Sequence, residues 1–172
     1  MRLLILMMLT VVAAGLCGQS NTPQSDFDFW IGKWETTMSV PPAWEEKSGI
    51  DEVSYLLDGA LIEEVFTKNF GDKINFQRGY LTYLRRENRW KHTIYDSKWG
   101  EYTFYGNKVG EKIILESDPL DSRPGFRREI FYNVSENSFM YLWLASYDNG
   151  ETWKEEWKVL YERIEDANTE KK

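Results

Sequence analysis

From residue 31 to residue 164 the chain alternates apolar and polar residues in ten short runs, each ended by a turn signal. A strand points successive side chains to opposite sides, so this period of two specifies strands with one buried face and one wet face. The runs cover 31–40, 49–57, 60–68, 74–84, 89–96, 101–105, 112–117, 126–134, 138–147 and 152–164. Asp58-Gly59 marks a tight hairpin, and "NFGDK", "RREN", "GNKVG" and "DNG" supply the same turn chemistry elsewhere. Two longer loops are expected, "PPAWEEKS" at 41–48 and "SDPLDSRPG" at 117–125.

Ten strands joined by short turns form an antiparallel meander, and a meander that long has to hide its two edges. Closure into a single all-β, up-and-down barrel of about ten strands is the simplest way, and a barrel of that size has room for a small ligand. The chain has 172 residues, with 8 Trp, 10 Tyr and 9 Phe, an aromatic content that only burial uses well. No internal repeat or second domain is visible, so one barrel domain is expected over 26–164. The formal net charge is −7, with no basic run, which argues against nucleic acid and anionic membrane surfaces as partners. The sequence carries no signal for an oligomeric state.

The first twenty residues, "MRLLILMMLTVVAAGLCGQS", have one basic residue, an apolar run and a small-residue border. That is the layout of a signal peptide over 1–18, and the run is too short to span a bilayer. A secreted or periplasmic mature form beginning at Gln19 is expected. Cys17 offers a second reading, a lipoprotein, although Leu16 before it suits the lipobox peptidase badly. Cys17 is the only cysteine, so no disulfide supports the fold. Residues 19–25 read as a disordered linker and 165–172 as a frayed, charged tail. Between linker and barrel, Ser25 and Asp28 suggest an acidic capping box that opens one helical turn, with Phe27 and Trp30 on its apolar side.

Gly32-Lys33-Trp34, in "DFWIGKW", resembles the G-x-W signature with which lipocalins and other calycins open their first strand. "RWKHTIYDSKWGEYTFYG" and "SYDNGETWKEEWKVLYER" resemble matching segments of a group of secreted bacterial lipocalin-like proteins. In that group a D-x-G-x-T-W hairpin precedes a last strand ending in Tyr-x-Arg. The resemblance runs from Asp26 to Arg163 and implies a calycin-like barrel. It also implies that Trp34 packs at the closed end with an Arg near the last strand covering it, and Trp30, in the turn beneath, is expected to join that plug. Arg163 matches that role, sharing a strand face with Trp157, Val159 and Tyr161 by period two. The group has no agreed activity, and a fold does not fix one.

Ser146–Trp153 in "SYDNGETW" also fits the Asp box of sialidase-type propellers. Propellers repeat their motif over several four-stranded blades, far more chain than is present, and this box occurs once. Hairpin chemistry accounts for it: an Asp acceptor, a Gly free to take positive φ, and a Trp packed over the turn.

His92 is the sole histidine and shares a face with Trp90, Ile94 and Asp96. One imidazole makes neither a multi-histidine zinc site nor a triad unless every role passes through it. Haem ligation is conceivable, but a hydrogen-bonded cavity histidine is the commoner outcome, and no cofactor or metal is expected. Arg78 shares a face with Phe76 and Tyr80, and Arg128 shares one with Phe126, Ile130 and Tyr132. If those faces point inward, the two arginines form either an internal ion-pair network, with Asp96 or Glu64 as partner, or an anchor for a ligand carboxylate. The expected ligand-binding set is therefore Arg78, Tyr80, Trp90, His92, Asp96, Arg128 and Tyr132, without assigned catalytic residues. The function expected first is binding of a small, partly apolar molecule. An acid–base isomerase, cyclase or lyase using His92, Asp96 or Arg128 comes next, then a structural envelope module with a filled core.

Overall fold

The structure, a computed structural model, describes residues 23–42, 45–70, 73–98, 100–118 and 125–165. The segment expected to be a signal peptide, with Cys17 and Gln19, and the expected tail beyond Glu165 lie outside the described residues. The strands among the described residues are β1 (Gly32–Val40), β2 (Glu45–Leu56), β3 (Leu61–Phe70), β4 (Lys73–Leu84), β5 (Arg89–Asp96), β6 (Glu101–Val109), β7 (Lys112–Ser117), β8 (Phe126–Tyr132), β9 (Ser138–Ser146) and β10 (Lys154–Arg163). Each pairs antiparallel with its neighbours in sequence, and β1 closes the ring on β10 with Trp34 opposite Arg163. The chain is a closed, ten-stranded antiparallel barrel, calycin-like in architecture. With the ring closed, each of the ten described strands has a hydrogen-bonded neighbour on both sides, which counters edge-to-edge aggregation.

Several boundaries differ from the sequence expectation for local reasons. β2 begins at Glu45, inside the segment expected to loop, and pairs with β1 along nine residues. β6 runs through the expected "GNKVG" turn to Val109, and the chain reverses at Gly110 with φ +63°. Pro23–Ser25, expected to be disordered, form a 3-10 turn, and a second covers Asp28–Trp30. The capping box does not form: Phe27 holds the cap position with no side-chain bond, and Asp28 accepts a hydrogen bond from Tyr55 Oη instead.

Inward residues follow the period of two. They include Trp34, Thr36 and Met38 on β1, Ile62, Glu64 and Phe66 on β3, and Trp90, His92 and Ile94 on β5. β8 contributes Arg127, Glu129 and Phe131, and β9 contributes Phe139, Tyr141 and Trp143. One register shift, between Glu155 and Trp157, resets the face of β10 so that Trp157 lies flat against Trp143 at 4.7 Å.

One end of the barrel is solid. The 3-10 turn lays Phe27 edge-on to Trp90 (4.9 Å) and Phe131 (5.2 Å), while Phe139 stacks on Tyr161 at 4.3 Å. Trp34 donates its indole N–H to the Trp30 carbonyl at 2.8 Å, and the Arg163 guanidinium sits 4.1 Å from the Trp34 ring. The guanidinium also donates to the carbonyls of Phe29, Ile31 and Glu136, each at 2.9 Å, so its charge is met by backbone dipoles. Gly32, at φ +133°, lies where any Cβ would come within 2.5 Å of Arg163 Nη1. The G-x-W glycine is therefore required by backbone angle and by the arginine above it.

Candidate functional site

Above the plug the barrel opens into a cavity of about 360 Å³. Its walls are mostly apolar and aromatic, with Phe66, Tyr141, Trp143 and Trp157 prominent, and Glu64, His92 and Tyr161 at its base. Phe76, Asp96, Ser97 and Lys98 line it at the mouth. The polar groups at the base continue behind the wall into a buried polar layer with Glu129 and Asp51, while Trp30 of the plug also lines the cavity directly.

His92 is the centre of that layer. Nδ1 lies 2.9 Å from Glu129 Oε2, and the other oxygen of Glu129 accepts from Tyr141 Oη at 2.7 Å. Nε2 lies 3.6 Å from Glu64 Oε2, too long for a hydrogen bond. Neither of those two atoms has a hydrogen-bond partner among the described residues. All three residues are almost fully buried: His92 is 1% exposed, Glu64 3% and Glu129 0%. Below them Asp51 accepts from Trp30 Nε1 at 3.1 Å, and its Oδ1 has no partner among the described residues.

Electrostatics divides these groups. Burial opposes charge on His92, but Glu129 and then Glu64 outweigh it and raise the imidazole from 6.5 to about 10. His92 is therefore an imidazolium at neutral pH, with Nδ1–H donating to Glu129. Burial, helped by Glu64, raises the Asp51 carboxyl well above its ordinary value, which favours the neutral acid. Burial also raises the Tyr141 and Tyr161 phenols, with Glu129 adding to the first and Asp51 to the second.

A glycine makes room for the cluster. A Cβ on Gly79 would come within 2.2 Å of Glu64 Oε2 and 2.7 Å of His92 Nε2, so both side chains lie against bare backbone. Gly79 stands opposite Glu64 on β3 and Ile94 on β5. A glycine inside a strand often marks such a close approach, and it is the sequence signal for this site.

The expected ligand set is divided by the structure. His92 and Asp96 line the cavity. Asp96 also accepts from the backbone N–H groups of Lys98 (2.7 Å) and Gly100 (2.8 Å), shaping the mouth turn. Trp90 faces inward but belongs to the plug, against Phe27 and Tyr83. Arg78, Tyr80, Arg128 and Tyr132 lie on the outer face, one residue out of phase with the expectation. Arg78 and Tyr80 both bond Glu63, at 2.6 and 3.2 Å, on the outside of β3 and β4. Arg128 donates to Glu116 at 2.7 Å and lies 3.8 Å over the Trp153 ring. The inward arginine of β8 is Arg127, 3.7 Å from Glu156.

Glu64 was expected only as an ion-pair partner, and Asp51, Glu129, Tyr141 and Gly79 were not anticipated at all. Each of the three carboxyls is flanked two residues away by inward neighbours, as in Ile62-Glu64-Phe66. The Asp box is a turn: Asp148 accepts from Thr152 N at 2.9 Å and from Ser146 Oγ at 2.8 Å, with Gly150 at φ +88°. Among the described residues no cluster of His, Cys, Asp and Glu is arranged to hold a metal ion.

No family model matches the chain, and no curated protein matches it. Among solved structures it is similar to the S-type phycobiliprotein lyase CPES from Guillardia theta. That match has a TM-score of 0.55 at 11% identity, over 81% of this chain and 91% of the other. Another similar chain is a protein with unknown function from the DUF3598 family of Nostoc punctiforme. It is 9% identical over 83% of this chain and 99% of that one, but its TM-score of 0.26 supports nothing further. Likeness at these identities speaks for the barrel fold alone.

Proposed function

We propose that this chain is an exported carrier of a small, partly apolar molecule, held in the open half of the barrel. The supporting observation is the cavity itself. At about 360 Å³ it falls within the range of small-molecule sites, and it combines aromatic walls with a few convergent polar groups. A core built for stability alone is packed without such a space. The likeness to a phycobiliprotein lyase supports the fold, whereas the ligand class follows from the cavity's own chemistry.

N-phenyl-1-naphthylamine, a neutral dye that brightens in apolar surroundings, tests the reading. Saturable one-to-one binding is expected, and Ile94→Trp, which fills the cavity, is expected to abolish it. A wild-type protein that leaves the dye dark would sink the carrier reading. Export is checked by the intact mass of the secreted form. A chain beginning at Gln19 is expected, and a diacylglyceryl adduct on Cys17 would replace that reading with the lipoprotein.

The Tyr141–Glu129–His92 chain favours a second reading, an acid–base enzyme. An imidazole held at about 10 donates a proton but does not accept one near pH 7, and efficient acid–base groups titrate near the working pH. Binding is the better fit.

A further inference from the structure

The floor of the cavity carries more carboxyl groups than one imidazolium can satisfy. Asp51 favours its neutral form, and His92 gives its Nδ1–H to Glu129 at 2.9 Å. That leaves Glu64, 3% exposed and lining the cavity, whose Oε2 has no hydrogen-bond partner among the described residues and faces the His92 imidazolium only at 3.6 Å. Among the residues whose side chains are described, the other inward cations are engaged elsewhere, Arg127 with Glu156 and Arg163 with three carbonyls of the plug. Lys98 stands at the mouth and is exposed. One imidazolium, 2.9 Å from Glu129 and 3.6 Å from Glu64, is shared by two buried carboxyl groups, and the cavity above Glu64 is where a second cation has room.

The walls point the same way. Tyr141, Trp143 and Trp157 line the cavity with rings, and an aromatic lining attracts cations through the negative face of the ring system. We propose that the ligand is a cationic amine on an apolar body, its ammonium received by Glu64 and flanked by aromatic rings. This rests on the carrier reading and names the class of molecule carried. It also gives Gly79 a purpose, since the carboxyl of Glu64 and the imidazole of His92 meet only over a residue without a side chain.

Three probes that share one apolar body separate the head groups: 4-phenylbutylamine, 4-phenylbutan-1-ol and 4-phenylbutyrate, titrated calorimetrically at pH 7. In the wild type the amine is expected to bind roughly tenfold or more tighter than the alcohol, as a charge-assisted hydrogen bond in a buried site allows, with the carboxylate weakest. Glu64→Gln, which keeps the volume, should bring the amine down to the alcohol's affinity and leave the alcohol unchanged. An alcohol or acid that binds as tightly as the amine overturns the proposal, as does an amine advantage that survives Glu64→Gln. If that variant does not fold, the wild-type series alone decides. No amine binding by a protein that still takes up N-phenyl-1-naphthylamine overturns the cation reading and leaves the carrier reading standing. Failure of the dye as well brings down both.

Discussion

The two halves of the barrel use aromatic side chains in opposite ways. In the closed half Phe27, Trp34, Phe131 and Phe139 fill the interior beside Trp30, whose carbonyl accepts from the Trp34 indole and whose own indole N–H donates to Asp51. In the open half Trp143 and Trp157 stack flat on one another and leave space in front of them. The layer of Asp51, Glu64, His92 and Glu129 lies between. Apolar burial carries stability at one end, whereas at the other it is withheld and polar groups are kept waiting. Strength and selectivity thus occupy different lengths of the same ten strands.

The sharpest way to break this division is to damage each half in turn. Trp34→Ala removes a fully buried indole from the plug and should cost roughly 3–5 kcal/mol, enough to unfold or nearly unfold the domain in urea titrations. A stably folded Trp34→Ala protein would show that the plug is not the main support.

The polar layer is tested by pH. His92 has a folded value of about 10 against 6.5 unfolded, so its ion pair contributes fully below pH 6.5. That contribution is lost as pH rises through about 10, because only the folded state holds the proton there. The urea midpoint is expected to fall from pH 7 to 10, and His92→Gln should flatten that slope. An unchanged slope in the variant would assign the alkaline loss to other groups.

Smaller effects separate the ends further. Arg163→Ala loses a ring contact and three carbonyl bonds, about 1–3 kcal/mol, without changing dye affinity. Trp157→Ala should cost less stability, about 1–2 kcal/mol for a half-buried ring, yet weaken the dye clearly. Arg78→Ala, on the exposed outer face, should leave melting and binding unchanged; a loss of dye binding there would restore the inward assignment.

Much of this fold was legible because β-alternation and turn chemistry are local. The strands 89–96 and 112–117 match their runs to the residue, and Trp34 and Arg163 meet across the β1–β10 pair. The site was harder to read because phase is not local. On β8 the inward set Arg127-Glu129-Phe131 and the outward set Arg128-Ile130-Tyr132 are about equally amphipathic. The outer wall itself half-buries Ile130, Leu142, Leu144 and Leu160, so apolarity alone does not say which side faces in. β5 was unambiguous, since Trp90 and Ile94 flank His92 while Lys91 lies opposite. Gly79 was the missed clue on β4: it lies opposite Glu64, on the face away from Arg78 and Tyr80.

The seam between β1 and β10 has a consequence for how the chain reaches this state. It pairs residues as far apart as Trp34 and Arg163, 129 positions along the chain. Every other strand pair forms between neighbours in sequence, so nine hairpin-like pairings can assemble early and one cannot. Until β10 is available, β1 and β9 stay open at their outer sides and Trp34 lacks its guanidinium lid. Long-range pairings pay their loop entropy before any reward, so ring closure is expected to be the slow, late step of folding. During that interval the sheet is exposed to joining another copy of itself.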